Sequence, residues 1–212
     1  MVDILPSYEY CSTYLLWNDN KEAFIVDPGD NSNNRLIKHI EKLGLDIQAI
    51  LITHGHYDHI GGLKDIVEAF PNAVCYINVD ETKVLSDPRI NLSYFTGEKK
   101  LTFVPQKLVE LVDNEEFEVC GFKVKMIATP FHTIGSCCYY IAKAKILFSG
   151  DALFKSSIGR TDLPTGSSKT IDASLMKLMS LDDETKVYPG HGDISTLGRE
   201  KKYNIYLNNL LK

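Results

Sequence analysis

Residues 53–59 read THGHYDH and place three histidines and one aspartate within seven positions. The whole chain has six histidines, so half of them lie in this one segment. Imidazole nitrogens and carboxylate oxygens are the donors that zinc, iron and manganese take in proteins, usually four or five for each ion. The segment therefore predicts a transition-metal site.

The spacing of these donors favours two ions over one. His54 and His56 are two residues apart, so an extended backbone presents both on one side. Asp58 and His59 follow where the chain turns towards a helical pattern, and they can face a second ion. Two ions roughly 3.5–4 Å apart need a shared oxygen donor, which the later Asp151 can supply. Water held between two such cations loses a proton near neutral pH and becomes a nucleophile.

Four apolar segments end at candidate donors. AILIT runs into His54, KMIATPF into His132, KILFSG into Asp151 and KVYPG into His191. Layered α/β folds place their sites where strand ends open into loops, so we expect these donors at one edge of the fold. The sixth histidine, His39, lies within a helical pattern and is predicted to be a surface residue.

Strand and helix patterns alternate along the rest of the chain. EYCSTYLLW and EAFIVDPG flank the turn NDNK as a hairpin, and a second hairpin turns at Gly121. Residues 78–114 are less periodic and are predicted to hold a short helix and loops. No repeat or linker is visible, so we expect one α/β domain over residues 1–212. Helices are predicted over residues 33–44, 62–70, 171–180 and 197–211.

Composition limits the partners of the chain. Its 212 residues, 44% of them hydrophobic, suffice for one well-packed core, and a net charge of −5 argues against a nucleic-acid partner. No apolar run reaches the ~18–20 residues of a membrane helix, so no membrane partner is expected. Five cysteines without metal-type spacing predict reduced thiols in a cytoplasmic protein. Cys137 and Cys138 are adjacent in a predicted strand and should point to opposite faces.

The motifs together resemble those of the metallo-β-lactamase fold superfamily. The resemblance covers most of the chain: VDPG with Asp27, then THGHYDH, FHTIGS, FSGDALF and YPGHG. It implies an α/β fold of the αββα sandwich type, with two mixed sheets flanked by helices and two metals at one edge. It also implies that Asp27 supports the site loops from behind the ligands, although the residues alone favour a simple turn before Pro28 at this position. By the resemblance, His54, His56 and His132 bind the first metal, Asp58, His59 and His191 bind the second, and Asp151 bridges the two.

Within the superfamily, the chain is most similar to glyoxalase II, the hydroxyacylglutathione hydrolases. FHTIGS, GDALF and VYPGHG resemble the motifs of those enzymes, but we do not expect the C-terminal helical domain that they usually carry. The stretches SIGRTDLP and STLGREKKYNIYL resemble the short single-domain members. The resemblance implies hydrolysis of a small-molecule thioester, such as a 2-hydroxyacyl-glutathione like lactoylglutathione, by a hydroxide held between two divalent ions. Zinc is the favoured metal, with iron or manganese also suited to the donors.

Two further roles are expected from this resemblance. Asp58, besides binding metal, would orient the hydroxide through a hydrogen bond. Arg160 would hold the glutathione part of the substrate, and the alternative is an exposed salt bridge with Asp162.

Two alternative functions are consistent with the sequence. The sequence also resembles the persulfide dioxygenases, including GRTD after the bridging aspartate, but those enzymes use a single ferrous iron. Their last histidine motif usually departs from PGHG, so YPGHG in this chain favours the hydrolase. A non-catalytic metal-binding module is the alternative from another class, and it would not require complete ligand sets for two metals. The sequence does not predict an oligomeric state.

Overall fold

Two six-stranded mixed β-sheets form the centre of the protein in a computed structural model, which describes residues 1–5, 11–30, 32–97 and 100–210. The first sheet has the order β1-β2-β3-β4-β5-β6, and the second has the order β12-β11-β10-β9-β8-β7. The strands are β1 Val2–Leu5, β2 Thr13–Trp17, β3 Glu22–Val26, β4 Asp46–Leu51, β5 Val74–Asn78, β6 Leu108–Leu111, β7 Glu116–Val119, β8 Phe122–Ala128, β9 Cys137–Ile141, β10 Ile146–Gly150, β11 Lys186–Pro189 and β12 Ser195–Thr196.

Helices cover the outer face of each sheet. The α-helices are α1 Arg35–Leu43, α2 Tyr57–Ile60, α3 Leu63–Ala69, α4 Thr82–Ser86, α5 Ile171–Met179, α6 Leu197–Tyr203 and α7 Ile205–Asn209. Short 3-10 helices span Ser32–Asn34, Val79–Glu81, Ser93–Phe95, Ala142–Ala144 and Ser168–Thr170. In the described part of the chain, no helix combines the length and the apolar character that crossing a membrane requires.

The central strands β2, β3, β9 and β10 are buried on both faces of their sheets, which explains their nearly continuous apolar sequences. Within β2, Leu15 packs towards α1 and α3, whereas Tyr14 and Leu16 pack towards the second sheet. Cys137 and Cys138 behave in the same way: Cys137 belongs to the core between the sheets and Cys138 to the core under α5, α6 and α7. Three apolar layers therefore alternate with two sheets, and the predicted αββα sandwich of two mixed sheets is confirmed.

Local signals located most of the elements correctly. The hairpin of β2 and β3 and the helix α1 ending at Gly44 are confirmed, although residues 9 and 10 of the predicted first strand lie outside the described residues. His39 is a partly exposed surface residue, as predicted, and its Nε2 lies 2.7 Å from Asp3 Oδ2. The less periodic region contains the short helix α4 but also the strand β6, which was not predicted.

The prediction of one helix over residues 197–211 is wrong. Residues 197–209 form two helices, α6 and α7, which meet at Asn204 with ψ near 118°. Asn204 is fully buried, and its side-chain amide donates 3.0 Å to the carbonyl of Ser157 while its oxygen accepts from Tyr206 N–H. These tertiary and capping hydrogen bonds favour a break over a continuous helix.

Candidate metal centre

All seven predicted donors lie at one edge of the two sheets. The loop after β4 and the helix α2 together carry four of them. The other three follow β8, β10 and β11, whose ends meet because β8 and β10 are both antiparallel to β9 and β11 is parallel to β10. A hydrogen bond from Cys137 N–H to the Thr53 carbonyl, 2.9 Å long, joins the sheets at this edge. The structure thus brings together His54, His56, Asp58, His59, His132, Asp151 and His191.

The first group of donors consists of His54, His56 and His132. One ring nitrogen from each lies within 4.8 Å of the others, and all three residues are buried. His132 Nε2 is 3.0 Å from His56 Nδ1, with the two rings nearly perpendicular. Three converging imidazoles can hold a divalent ion in tetrahedral geometry and leave one place open.

The second group consists of Asp58, His59 and His191, whose donor atoms also lie within 4.8 Å of one another. His191 Nε2 is 3.0 Å from Asp58 Oδ2, which is 3.8 Å from His59 Nε2. The His59 side chain is fully buried, whereas 42% of the His191 side chain is exposed. This group therefore lies nearer to solvent than the first.

Asp151 lies between the two groups. Its Oδ2 is 3.4 Å from His132 Nε2 in the first group, and its Oδ1 is 3.3 Å from His59 Nε2 in the second. One carboxylate oxygen thus faces each group. This arrangement suits a carboxylate that is shared by two ions.

Three donor atoms are buried without a hydrogen-bond partner among the described residues: His54 Nε2, His59 Nε2 and Asp151 Oδ1. His56 Nε2 is unpaired as well, but this ring faces His132 with its Nδ1. Buried polar atoms in native proteins are nearly always paired, so three unpaired donor atoms in one cluster need an explanation. The three other atoms of this kind are scattered hydroxyls of Thr82, Ser174 and Thr185. Divalent ions that accept imidazole and carboxylate donors fit the cluster.

Charge states in the cluster suit metal ligands. Burial lowers the pKa of His54 and lowers that of His56 to about 3, and neighbouring imidazoles act in the same direction, so both rings are neutral. Burial alone would raise the pKa of Asp151, but the charges of the surrounding histidines lower it, and the same holds for Asp58. Burial alone would lower the pKa of His59, but Cys11 and the carboxylates of Asp151, Asp58 and Asp27 together raise this pKa well above its usual value. Metal binding at His59 would therefore release a proton.

Asp27 connects two parts of the cluster from behind. Its Oδ1 accepts a hydrogen bond from Thr53 N–H at 2.8 Å, and its Oδ2 accepts from the Thr53 hydroxyl at 2.6 Å. The same Oδ2 lies 2.8 Å from His59 Nδ1, which leaves Nε2 of that ring for the second group. Asp27 also forms a turn, with φ near 51° and its carbonyl accepting from Gly29 N–H. Asp27 is thus both a turn residue, through its backbone, and a partner of His59, through its side chain.

Two other ring nitrogens are held by polar atoms outside the donor set. His132 Nδ1 lies 2.8 Å from the backbone carbonyl of Arg160, and His54 Nδ1 lies 3.2 Å from the Thr53 hydroxyl. Such contacts fix the tautomer and the orientation of a ligating imidazole.

Glu81 was not singled out from the sequence. Its side chain is fully buried and accepts hydrogen bonds from Gly55 N–H, Gly135 N–H and the Thr133 hydroxyl. Burial raises the pKa of Glu81 to about 7, against the opposing effect of these three donors. The residue follows β5 in the less periodic region, where no motif marks it.

An open cavity of about 440 Å³ borders the cluster. Its lining includes apolar side chains beside the donors, namely Leu92, Phe154 and Leu163. Arg160 also lines it, but in the free protein its exposed guanidinium forms two 2.6 Å hydrogen bonds with Asp162. The salt bridge considered from the sequence is therefore present, and contact of Arg160 with a substrate remains a prediction.

Comparison with known proteins agrees with this geometry. The family described as the metallo-beta-lactamase superfamily matches residues 7–191. The chain belongs to this superfamily. The resemblance found in the motifs is thus confirmed, and the fold and the cluster of histidines and aspartates are those of a metal-dependent hydrolase family.

Within the superfamily, the chain is similar to several proteins over nearly its whole length. It is 34% identical to the hydroxyacylglutathione hydrolase GloC of Haemophilus influenzae, with 98% of each chain covered. Among solved structures, the BLEG-1 B3 metallo-beta-lactamase is 36% identical, with a TM-score of 0.89 and coverage of 98% of this chain and 99% of that one. A di-iron-bound form of TTHA1623 is 30% identical, with a TM-score of 0.83 and coverage of 98% and 100%.

Proposed function

We propose that this protein is a binuclear metal-dependent hydrolase that cleaves a small-molecule thioester of the hydroxyacyl-glutathione class. The observation that carries the proposal is the position of Asp151, which presents one oxygen to each of two groups of three donors. The whole-length similarity to a hydroxyacylglutathione hydrolase supports the choice of substrate class. Zinc is our first choice of metal, and the similarity to a protein in a di-iron-bound form keeps iron as the second.

The residues of this chain have separable tasks in such a reaction. Two bound divalent ions would supply a nucleophile at neutral pH and would polarise the thioester carbonyl. Asp27 holds the His59 ring through Nδ1, so that Nε2 faces the cluster. Asp58, whose carboxylate borders the cavity, can orient the attacking hydroxide by accepting a hydrogen bond from it. A thiolate leaves readily compared with an amide nitrogen, so the scheme needs no dedicated acid.

The cavity supports a substrate with both apolar and charged parts. Leu92, Phe154 and Leu163 form an apolar wall next to the donors, where the acyl chain would lie. Arg160 lies on the same cavity, where it can exchange its contact with Asp162 for a carboxylate of the substrate. We propose a cytoplasmic location, which the five free cysteines support.

The decisive experiment measures thiol release from lactoylglutathione under anaerobic conditions, with protein loaded with zinc or iron. Turnover without oxygen supports the hydrolase. If no thioester reacts while an iron-loaded sample consumes oxygen with glutathione persulfide, the chain is a dioxygenase. If neither reaction occurs although two ions bind, the alternative of a non-catalytic metal-binding module gains support.

Hydrolysis of a β-lactam is a second candidate, since the chain is 36% identical to a B3 metallo-beta-lactamase over nearly its whole length. The same samples should be tested with a chromogenic cephalosporin. A kcat/KM higher for the cephalosporin than for every thioester would reverse our assignment.

The number of ions needs a separate measurement. Elemental analysis of the loaded protein should approach two equivalents, and Asp151→Ala should lose both ions together because the carboxylate faces both groups. A single equivalent in the wild-type protein that persists under metal supplementation would contradict the binuclear assignment.

A further inference from the structure

Glu81 is a buried carboxylate with an unusual set of contacts. It ends the 3-10 helix Val79–Glu81, and 0% of its surface is exposed. Its Oε1 accepts a hydrogen bond from Gly55 N–H at 2.8 Å, and its Oε2 accepts from Gly135 N–H at 2.8 Å and from the Thr133 hydroxyl at 2.9 Å. A buried carboxylate costs free energy unless it is satisfied, so these three donors hold it in one position.

The donors to Glu81 belong to two separate loops. Gly55 lies between His54 and His56 in the loop after β4 of the first sheet. Thr133 and Gly135 follow His132 in the loop after β8 of the second sheet. The Glu81 carboxylate therefore connects the two loops that carry the first group of donors.

Close packing of backbone around Glu81 supports the same conclusion. A methyl group added at Gly135 would lie 2.6 Å from Glu81 Cβ and 2.7 Å from Oε2, besides meeting its backbone nitrogen. A methyl group at Gly55 would lie 2.8 Å from the Val84 side chain, one turn after Glu81. Both loops thus present bare backbone where Glu81 approaches them.

The second group of donors has different support. Its members Asp58 and His59 lie on α2, and the Glu81 hydrogen bonds do not involve either residue. The ring of His59 is held instead by Asp27. Glu81 therefore contacts only the loops of the first group, whereas Asp27 contacts His59 of the second group and Thr53 beside the first.

We propose that Glu81 is a positioning residue for the first group, and that it sets the affinity of the ion held by His54, His56 and His132 without contacting that ion. The inference rests on the binuclear site proposed above. A partner that is hydrogen-bonded to a ligating side chain commonly changes metal affinity by a factor of roughly 10–100, and we expect Glu81, which holds the backbone beside the ligands, to act at the lower end of this range. Glu81 should act on one of the two ions and leave the other nearly unchanged.

The test compares Glu81→Gln in two backgrounds that each leave one group intact. In His191→Ala, the first group binds the reporter ion, and in His56→Ala, the second group does. Glutamine keeps the shape of the side chain but replaces one carboxylate oxygen by an N–H₂ group, which cannot accept from a backbone N–H. Asp80→Asn, at the exposed neighbouring position, is the matched control for loss of one charge.

Metal-free samples are titrated with Co²⁺ against a competing chelator, and the visible absorption of bound cobalt is recorded. We expect Glu81→Gln to weaken cobalt binding at least tenfold and to alter its absorption bands in the His191→Ala background. Binding in the His56→Ala background should change by less than about threefold. Equal weakening in both backgrounds, or no weakening in either, would overturn the proposal.

A milder variant covers the case in which Glu81→Gln does not fold. Thr133→Val removes one donor and keeps Glu81 with its two backbone contacts. It should weaken the first ion by an intermediate amount and leave the second unchanged, and an unchanged first ion would contradict the proposal. Failure of the wild-type protein to bind two Co²⁺ ions would instead contradict the binuclear site itself.

Discussion

Replacement of Asp27 by asparagine tests how the second group of donors is held. The φ of 51° at this position suits asparagine as well as aspartate, so the substitution leaves the backbone turn intact. The amide oxygen can keep the 2.8 Å hydrogen bond from Thr53 N–H. The amide N–H₂ group then takes the place of Oδ2. The Thr53 hydroxyl can rotate and accept a hydrogen bond from this group. His59 Nδ1–H cannot, because two N–H donors then face each other and the hydrogen bond between His59 and residue 27 is lost.

The expected magnitude follows from that single lost contact. Removing the partner of a ligating imidazole commonly lowers metal affinity by about 10- to 100-fold, or about 1.4–2.8 kcal/mol. A lost hydrogen bond to a charged acceptor costs a similar ~1.5–3 kcal/mol. We therefore expect Asp27→Asn to weaken the ion bound by Asp58, His59 and His191 by one to two orders of magnitude.

Competition with a chromophoric chelator resolves the two zinc dissociation constants and is the assay of choice. Thr53→Val is the matched control, since it keeps Asp27 bonded to His59 and removes the hydroxyl 3.2 Å from His54 Nδ1. That control should weaken the first ion only. If Asp27→Asn leaves the second dissociation constant within about threefold of the wild-type value, the contact between Asp27 and His59 does not stabilise that ion.

Three further results are expected. Arg160→Ala should raise KM for glutathione thioesters roughly two- to fivefold and leave kcat unchanged. Asp162→Asn, which frees the Arg160 guanidinium from its salt bridge, should not raise KM. If KM is unchanged in Arg160→Ala, Arg160 only forms the salt bridge and does not bind substrate. Gly190→Ala should abolish metal binding measured by elemental analysis, because the added methyl group would meet Asp151 Oδ1 and lie 2.6 Å from His59 Cε1. Gly192→Ala is the control, since the methyl group there enters open space. This control should bind both ions and lose only about 1 kcal/mol of folding stability, because φ at this position is near 80°. Mass spectrometry after alkylation at pH 8 should show that Cys120 is labelled before the four buried cysteines, because its side chain is partly accessible. Its labelling should still be slow, because burial raises the pKa of Cys120 to about 12. Earlier labelling of a buried thiol would contradict the packing.

The sequence predicted elements whose own periodicity or turn residues define them, and it missed those that depend on distant partners. Strand β6, Leu108–Leu111, forms because it pairs in parallel with β5, and its burial does not alternate in the way a half-buried strand would. The two-residue strand β12 exists only as a partner of β11. Asn204 ends a helix through contacts with residues about fifty positions earlier. None of these contacts leaves a local signal.

The same contrast applies to the site. His54 and His132 could be recognised because imidazoles at strand ends are rare and have few other reasons to occur there. The local sequence favours a simple turn at Asp27, and only the contact of its side chain with His59 reveals a role in the site. Glu81 carries no motif, and its proximity to both ligand loops is a property of the assembled sheets.

The donor set draws on both sheets, and this has a consequence for local unfolding. His54 and His56 follow a strand of one sheet, and His132 follows a strand of the other, next to the hydrogen bond from Cys137 N–H to Thr53. Bound ions would therefore act as a cross-link that opposes separation of the sheets at this edge. Ligand that binds only the native state stabilises it by about 2.7 kcal/mol at a concentration of 100 Kd. The Cys137 amide should thus exchange its hydrogen with solvent far more slowly in metal-loaded protein than after chelation, while amides at the opposite edge of the sandwich keep their rates.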